Sequence, residues 1–372
     1  MDKLSNELIH LIFEDACCAD IQGKIARSLC LVSKRFRAIG ESFVFRHVSI
    51  SGPDQVKRFV ARVERLGLGP RSDDAAIPGV QHLFLCDYTK EHALYNDTFV
   101  PCDNEDLPSF SVPILSTMEG ERIRNHYEDA RDEFWFLVGH VLKVASPTLR
   151  TLTLLSYHEA SRKHARQNQK AINDIPTLAN LSGTNINFPL LQRLTLRLML
   201  GCSTEEWMEA NLSPIDAPLL QDMQLIIRSP FLRSRTETIL YPLLRGMHSR
   251  HPFLKQLIFL CNLESHSFEE IMGVICGDVD SSTGSLASEC IKNRVLPEKL
   301  TSVVIKTGDV PMFLCGGGYS MYMEEVSECI ENVANRGIAG LYVAQPIDNS
   351  QDEGKREYEC LLREWEEGKF EV

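Results

Sequence analysis

Pro189-Leu190-Leu191-Gln192-Arg193-Leu194-Thr195-Leu196 is one copy of a phrase that the chain repeats, and its reading decides the fold. The template is a proline followed by apolar residues two, five and seven positions on. Pro78 with Val80, Leu83 and Leu85 fits it, and so does Pro147 with Leu149, Leu152 and Leu154. Pro218 with Leu220, Met223 and Leu225 and Pro252 with Leu254, Leu257 and Phe259 fit as well. Pro297 with Leu300, Val303 and Ile305 fits with one extra residue. The last two apolar positions are two apart, which is strand periodicity with one face inward. The proline removes a backbone donor where no ladder bond is yet needed.

Helical text fills the intervals. Residues 129–145 carry Phe134, Leu137, Val138, Val141 and Leu142 at helical spacing, and 236–248, 267–279 and 319–335 carry similar stripes. Strand and helix alternate at intervals of 29 to 46 residues, which describes an α/β class of stacked repeats over residues 76–350. Parallel strands form one side and helices the other. A doubly wound sheet is the competing architecture, and the regularity of the phrase argues against it. One interval is stretched to 69 residues by a segment near 87–128 with Pro101, Pro108 and Pro113. It reads as an insertion. Residues that alternate with the inward positions face outward and are the candidate substrate-binding set: His82, Phe84, Thr151, Thr153, Arg193, Thr195, Arg197, Asp222, Gln224, Gln256 and Lys306. Their charges are mixed, so a highly charged ligand is not indicated. Residues 351–372 form an acidic helix with Tyr358, Leu361, Leu362 and Trp365, which could cap the last repeat or cover the outward face; capping is the expectation.

The amino-terminal 48 residues have a different character. Leu8, Leu11, Ile12 and Ala16 fall at helical spacing, with Ile9 and Phe13 widening the stripe. Ser5 is placed to cap the first turn, with Leu4 and Ile9 as a hydrophobic staple. Ile25, Leu29, Val32, Phe36 and Ile39 then form one apolar seam, with Gly40 as its expected stop. Two helices of roughly 11 and 15 residues cannot bury both stripes against each other. Some apolar surface must face the following domain or another protein. Residues 49–75 read as a connecting helix or linker.

The module 1–48 resembles the F-box of fungal proteins. Leu4, Glu7, Leu8, Ile12 and Phe13 match the opening Leu-Pro-x-Glu-Ile/Leu helix of that family. Leu31-Val32-Ser33-Lys34-Arg35-Phe36-Arg37 matches its closing helix, and Phe45-Arg46-His47-Val48 resembles the exit sequence. Ser5 stands where the family has proline. The LxxLxL core of the repeats is similar to a leucine-rich repeat in the irregular, long-interval form seen behind F-boxes.

The resemblance implies a substrate-recognition subunit of a Skp-cullin-F-box ubiquitin ligase. An adaptor of the Skp type, and through it a cullin–RING ligase, would bind the module. A protein substrate would bind the repeats. Carried over by position, the adaptor contacts are Leu4, Ser5, Leu8, Ile9, Ile12, Phe13, Leu29, Leu31, Val32 and Phe36. A ligase-independent scaffold with the same surfaces is the alternative.

Composition and motifs bound the rest. A formal charge of −12 disfavours a nucleic-acid partner. Residues 21–65 nevertheless hold ten Lys or Arg against Glu41, Asp54 and Glu64. This is a solvated helix face or a surface for an acidic partner. No apolar run approaches the roughly 18 residues a membrane span needs. Met1-Asp2-Lys3 leads into an amphipathic helix, not an apolar signal core. Twelve scattered cysteines without a CxxC suit reduced thiols of the cytosol or nucleus.

No motif points to catalysis, and neither a metal nor a cofactor is expected. The glycine run Cys315-Gly316-Gly317-Gly318 lacks both the Lys-Ser/Thr ending and the GxGxxG spacing of a phosphate loop, and reads as a turn. His248 and His251 have no ligand set to complete a metal site, and His158 with His164 are no better placed. Glu205-Glu206 and Glu324-Glu325 read as solvated helix faces. A non-catalytic receptor is the expectation.

Overall fold

The computed structural model describes residues 4–17, 23–65, 79–87, 133–156, 186–199, 216–228, 247–261, 299–307, 341–344 and 353–367. Eight short strands form one sheet: β1 (His47–Ser51), β2 (His82–Cys86), β3 (Thr151–Leu155), β4 (Arg193–Met199), β5 (Asp222–Arg228), β6 (Gln256–Cys261), β7 (Ser302–Thr307) and β8 (Leu341–Ala344). They lie in sequence order, and every neighbouring pair is parallel. The chain is therefore α/β. A doubly wound sheet reverses its strand order at a switch point, and this sheet never does. Six strands follow the six Pro-led phrases. β1 and β8 lack the phrase. β1 also lies partly inside the 1–48 module, so the sheet begins earlier than the sequence boundary suggested.

Register explains why the phrase recurs. Leu83 aligns in turn with Leu152, Leu194, Met223, Leu257 and Val303, and Leu85 with Leu154, Leu196, Leu225, Phe259 and Ile305. Ahead of the strands Val80, Leu149, Leu191, Leu220 and Leu254 are all fully buried. Each such leucine withdraws a side chain worth roughly 1.5–3 kcal/mol from water. The proline has another role than the one read from sequence. Leu191 N–H donates to Phe188 O at 3.2 Å, Leu220 to Ala217 O at 3.1 Å and Leu254 to His251 O at 3.1 Å. Pro189, Pro218 and Pro252 thus occupy the second position of a four-residue turn, where a fixed φ is an advantage. Backbone bonds from Gln81 to Arg46, Arg150 to Gln81, Gln192 to Arg150, Gln221 to Gln192 and Lys255 to Gln221 extend the ladder toward these turns.

Helices cover one face of the sheet. α4 (Pro53–Arg65) buries Val56 and Val63 there. α5, described over 133–145, buries Phe134, Val138, Val141 and Leu142, as its spacing predicts. Lys57 and Glu133 join the two helices at 2.7 Å. α6 (Met247–Arg250) adds Met247. The helices expected over 267–279 and 319–335, most of that over 236–248, and the insertion beyond Asp87 lie outside the described residues.

The amino-terminal unit has three helices, α1 (Asn6–Cys17), α2 (Lys24–Val32) and α3 (Lys34–Val44), where the sequence suggested two. Ser33 splits the expected single seam. Its backbone is extended, and its hydroxyl accepts from Phe36 N–H at 3.0 Å, capping α3. Gly40 is not a stop. It lies within α3, and a Cβ there would come within 2.9 Å of Cys30 Sγ. The unit has its own core of Ile9, Phe13, Cys17, Ala26 and Phe43. Gly79, at φ +92°, turns against the unit so closely that a Cβ would lie 2.5 Å from the Ser42 carbonyl oxygen.

For the last described helix, α7 (Glu353–Glu366), the sequence predicts a cap on the final repeat, but its contacts among the described residues are with the strand face. Leu361 and Trp365, with Tyr358 and Leu362, pack on Phe84, Cys86, Leu155 and Ile226 of β2, β3 and β5, on the face opposite α4 and α5. The physical reason is an apolar patch in the middle of that face, which a helix with four apolar residues at helical spacing can cover.

Candidate functional site

Two surfaces stand out, and the first is on the amino-terminal unit. Ser5 Oγ accepts from Leu8 N–H at 3.3 Å and so performs the capping that the proline of the F-box pattern does not perform here. Arg35 of α3 donates to Asn6 Oδ1 at 2.9 Å and to the Leu4 carbonyl, which fixes the start of α1 against α3. Within this frame the ten residues carried over from the resemblance separate. Ile9 and Phe13 are buried, and Phe13 meets Phe36 edge-to-face at 5.1 Å. Leu29 and Phe36 are half-buried against the same core. Leu4, Ser5, Leu8, Ile12, Leu31 and Val32 face outward, joined by Leu11 and Ile25, which were not in the carried-over set. Leu8 is 50 % exposed, Val32 64 % and Leu31 79 %. Ile9 and Phe13 therefore belong to the unit's own packing, not to an outward contact.

The second surface is the sheet face under α7. A cleft of about 210 Å3 opens between β3–β6 and α7. Seven of the candidate substrate-binding residues line it: Thr151, Thr153, Arg193, Thr195, Asp222, Gln224 and Gln256. Parallel register brings them together, because Thr151, Arg193, Asp222 and Gln256 form one rung and Thr153, Thr195 and Gln224 the next. Arg193 and Asp222 pair across strands at 3.2 Å. Thr195 Oγ1 donates to Gln224 Oε1 at 3.5 Å. The opposite wall is Leu361, Glu364 and Trp365. Of the two places the sequence left open for this helix, the solenoid end and the strand face, it takes the face, with the apolar stripe of Tyr358, Leu361, Leu362 and Trp365 turned to the sheet.

Four members of the set are not cleft-lining. Phe84 has no exposed surface, lying 5.9 Å from the Trp365 ring and 6.1 Å from that of Tyr358. His82 Nδ1 is bonded to Thr151 Oγ1 at 3.0 Å, and its ring is stacked on His47 at 4.6 Å. Arg197 is buried and donates to the Ser156 carbonyl. Lys306 of β7 is in register with Leu260 of β6, and its side chain is outside the described part. For Phe84, His82 and Arg197 the reason is common. Alternation puts them on the outward face, but α7 and the neighbouring strands then cover or engage them.

Electrostatics follow burial. Burial pushes the His82 imidazole down to about 3, helped by His47, Arg46 and Arg150 nearby. His251 is also lowered, first by burial, and its Nδ1 meets the Ala217 carbonyl at 3.2 Å. Tyr358 is raised by burial while its hydroxyl bonds Ser51 Oγ at 3.1 Å. Among the described residues no cluster of three His, Cys, Asp or Glu could hold a metal ion, and no helix is long and apolar enough to cross a membrane.

No protein-family model, curated protein or solved structure matches this chain. Its function has to be read from these two surfaces. His158, His164, Glu205, Glu206, Cys315 to Gly318, Glu324 and Glu325 lie outside the described residues, as does the His248 side chain.

Proposed function

We propose that this chain is the substrate-recognition subunit of a Skp-cullin-F-box type ubiquitin ligase. The observation that carries the reading is the division of apolar side chains in α1–α3. The unit fills its own core with Ile9, Phe13, Cys17, Ala26 and Phe43, and still turns Leu8, Leu11, Ile12, Leu31 and Val32 to water. Five large apolar side chains left exposed on so small a unit are what an interaction surface would present. Of these, Leu8, Ile12, Leu31 and Val32 are among those that the F-box resemblance assigns to the adaptor, and Leu11 adds to them. The sequential, all-parallel sheet behind it supports a leucine-rich-repeat-like solenoid. In this reading the solenoid presents the α7 cleft to a protein substrate. The chain then acts by positioning: it holds a substrate near a conjugating enzyme carried by the cullin–RING partner and raises the local concentration.

The test is co-purification. Intact chain should capture a Skp-type adaptor and a cullin. Leu8→Asp combined with Ile12→Asp should lose both while the helical circular dichroism signal and melting temperature hold, because neither side chain is in the unit's core. Undiminished adaptor capture by that variant would sink the reading. Capture of adaptor without cullin would favour the ligase-independent scaffold.

A further inference from the structure

We propose that the cleft between the sheet and α7 seats one basic side chain, Lys or Arg, of an extended segment in the partner protein. The proposal rests on the receptor reading above and names what its substrate surface recognises.

Size sets the first limit. At about 210 Å3 the cleft is smaller than the roughly 300–1,000 Å3 of sites for whole drug-sized ligands or cofactors. It matches a single side chain entering from a segment that runs across the strands.

Charge sets the second. Two ionised groups in the lining, Arg193 and Asp222, neutralise each other at 3.2 Å. The remaining one is Glu364. It is exposed and has no ion pair among the described residues, and accepts from the Cys360 thiol at 3.6 Å. Among the described residues, the lining thus carries one uncompensated negative charge. Glu364 also lies in the last turn of α7, where backbone carbonyls point along the axis and favour a cation. Both effects act in the same place and with the same sign. An acidic side chain would meet two unfavourable terms, and an apolar one would cover the polar Thr153 and Gln256 side chains of the lining without bonding them.

The cleft is also framed by packed structure on both sides. The floor is fixed by ladder hydrogen bonds, and the wall by Trp365, whose indole packs against Phe84 and His47. A preformed cleft loses little entropy when it binds.

The experiment uses the full chain and three fluorescein-labelled peptides, Gly-Gly-X-Gly-Gly with X as Arg, citrulline or Glu, read by fluorescence anisotropy at low salt. Citrulline keeps the shape of Arg and removes its charge. The Arg peptide should bind about tenfold or more tightly than the citrulline peptide, the range of one charge-assisted hydrogen bond. Glu364→Gln should abolish that preference, and since Glu364 is exposed the fold should not change. Equal binding of the three peptides, binding of none, or a preference that survives Glu364→Gln overturns the proposal. Adaptor capture is measured on the same preparations. Lost discrimination with adaptor capture intact refutes the cleft alone. Retained discrimination without adaptor capture refutes the receptor reading and leaves the cleft standing.

Discussion

Acidification from pH 7 to pH 5 should cost this fold about 2 kcal/mol through one side chain, His82. Its imidazole is pushed from 6.5 to about 3, first by burial and then by His47, Arg46 and Arg150. The folded-state value lies below the unfolded one, so the unfolded chain takes up a proton that the folded chain refuses. Stability is therefore full above pH 6.5 and declines as the pH falls toward 3, at about 1.4 kcal/mol per pH unit once the unfolded imidazole is charged. Between pH 7 and 5 that integrates to about 2 kcal/mol, an upper figure because solvent reaches part of the ring. The fold would feel it locally. His82 sits beneath the α7 contact, stacked on His47, whose ring also meets Trp365 at 6.5 Å. The assay is urea unfolding at pH 7, 6 and 5, comparing the chain with His82→Gln, which keeps a polar group near Thr151 Oγ1 but does not titrate. Carboxylates and His251 contribute equally to both proteins and cancel in the difference. The wild type should lose about 2 kcal/mol more than the variant over this range. Parallel stability curves would refute the reasoning, because they would mean that His82 can be charged in the folded state.

Four further outcomes can be checked by denaturation or scanning fluorimetry. Leu194→Ala, in the middle of the core ladder, should cost about 2–5 kcal/mol in urea unfolding. Phe13→Ala should cost about 3–5 kcal/mol, whereas Leu31→Ala, 79 % exposed, should stay within about 0.5 kcal/mol; equal losses would mean that Leu31 packs on the unit's core. Gly79→Ala should lower the melting temperature sharply, since it combines φ +92° with a Cβ 2.5 Å from the Ser42 carbonyl; an unchanged melt would show that the turn relaxes without strain. Trp365→Ala should release α7 and raise binding of a hydrophobic dye at Phe84 and Ile226; unchanged dye binding would mean that the helix is held without its indole.

The sheet was legible because its signal is local and repeated. Each Pro-led phrase carries the first apolar residue and the inward pair of its own strand within eight or nine residues, and those of Pro189, Pro218 and Pro252 set the turn as well. The unit α1–α3 was legible in part. Its apolar stripes were plain, but Ser33 reads as an ordinary position on a seam until its backbone is seen to be extended and its hydroxyl to cap α3. β1 was missed because Val48 and Ile50 offer only two alternations and no leading proline.

What the sequence by itself determined is the α/β class, the six phrase-led strands, the surplus of apolar surface at the amino terminus and the rung residues of the outward face. Periodicity encodes these, since a side chain's direction in a strand or helix follows from its position along it. The tertiary structure decided which of those residues are free. Only packing could place Ile9 and Phe13 inside while Leu8 and Ile12 stay outside. Only the return of α7, some 270 residues after β2, buries Phe84 and gives Thr153, Arg193 and Gln224 a facing wall of Glu364 and Trp365. Contacts between segments so far apart in the chain depend on which surfaces meet, and no local pattern of residues specifies that.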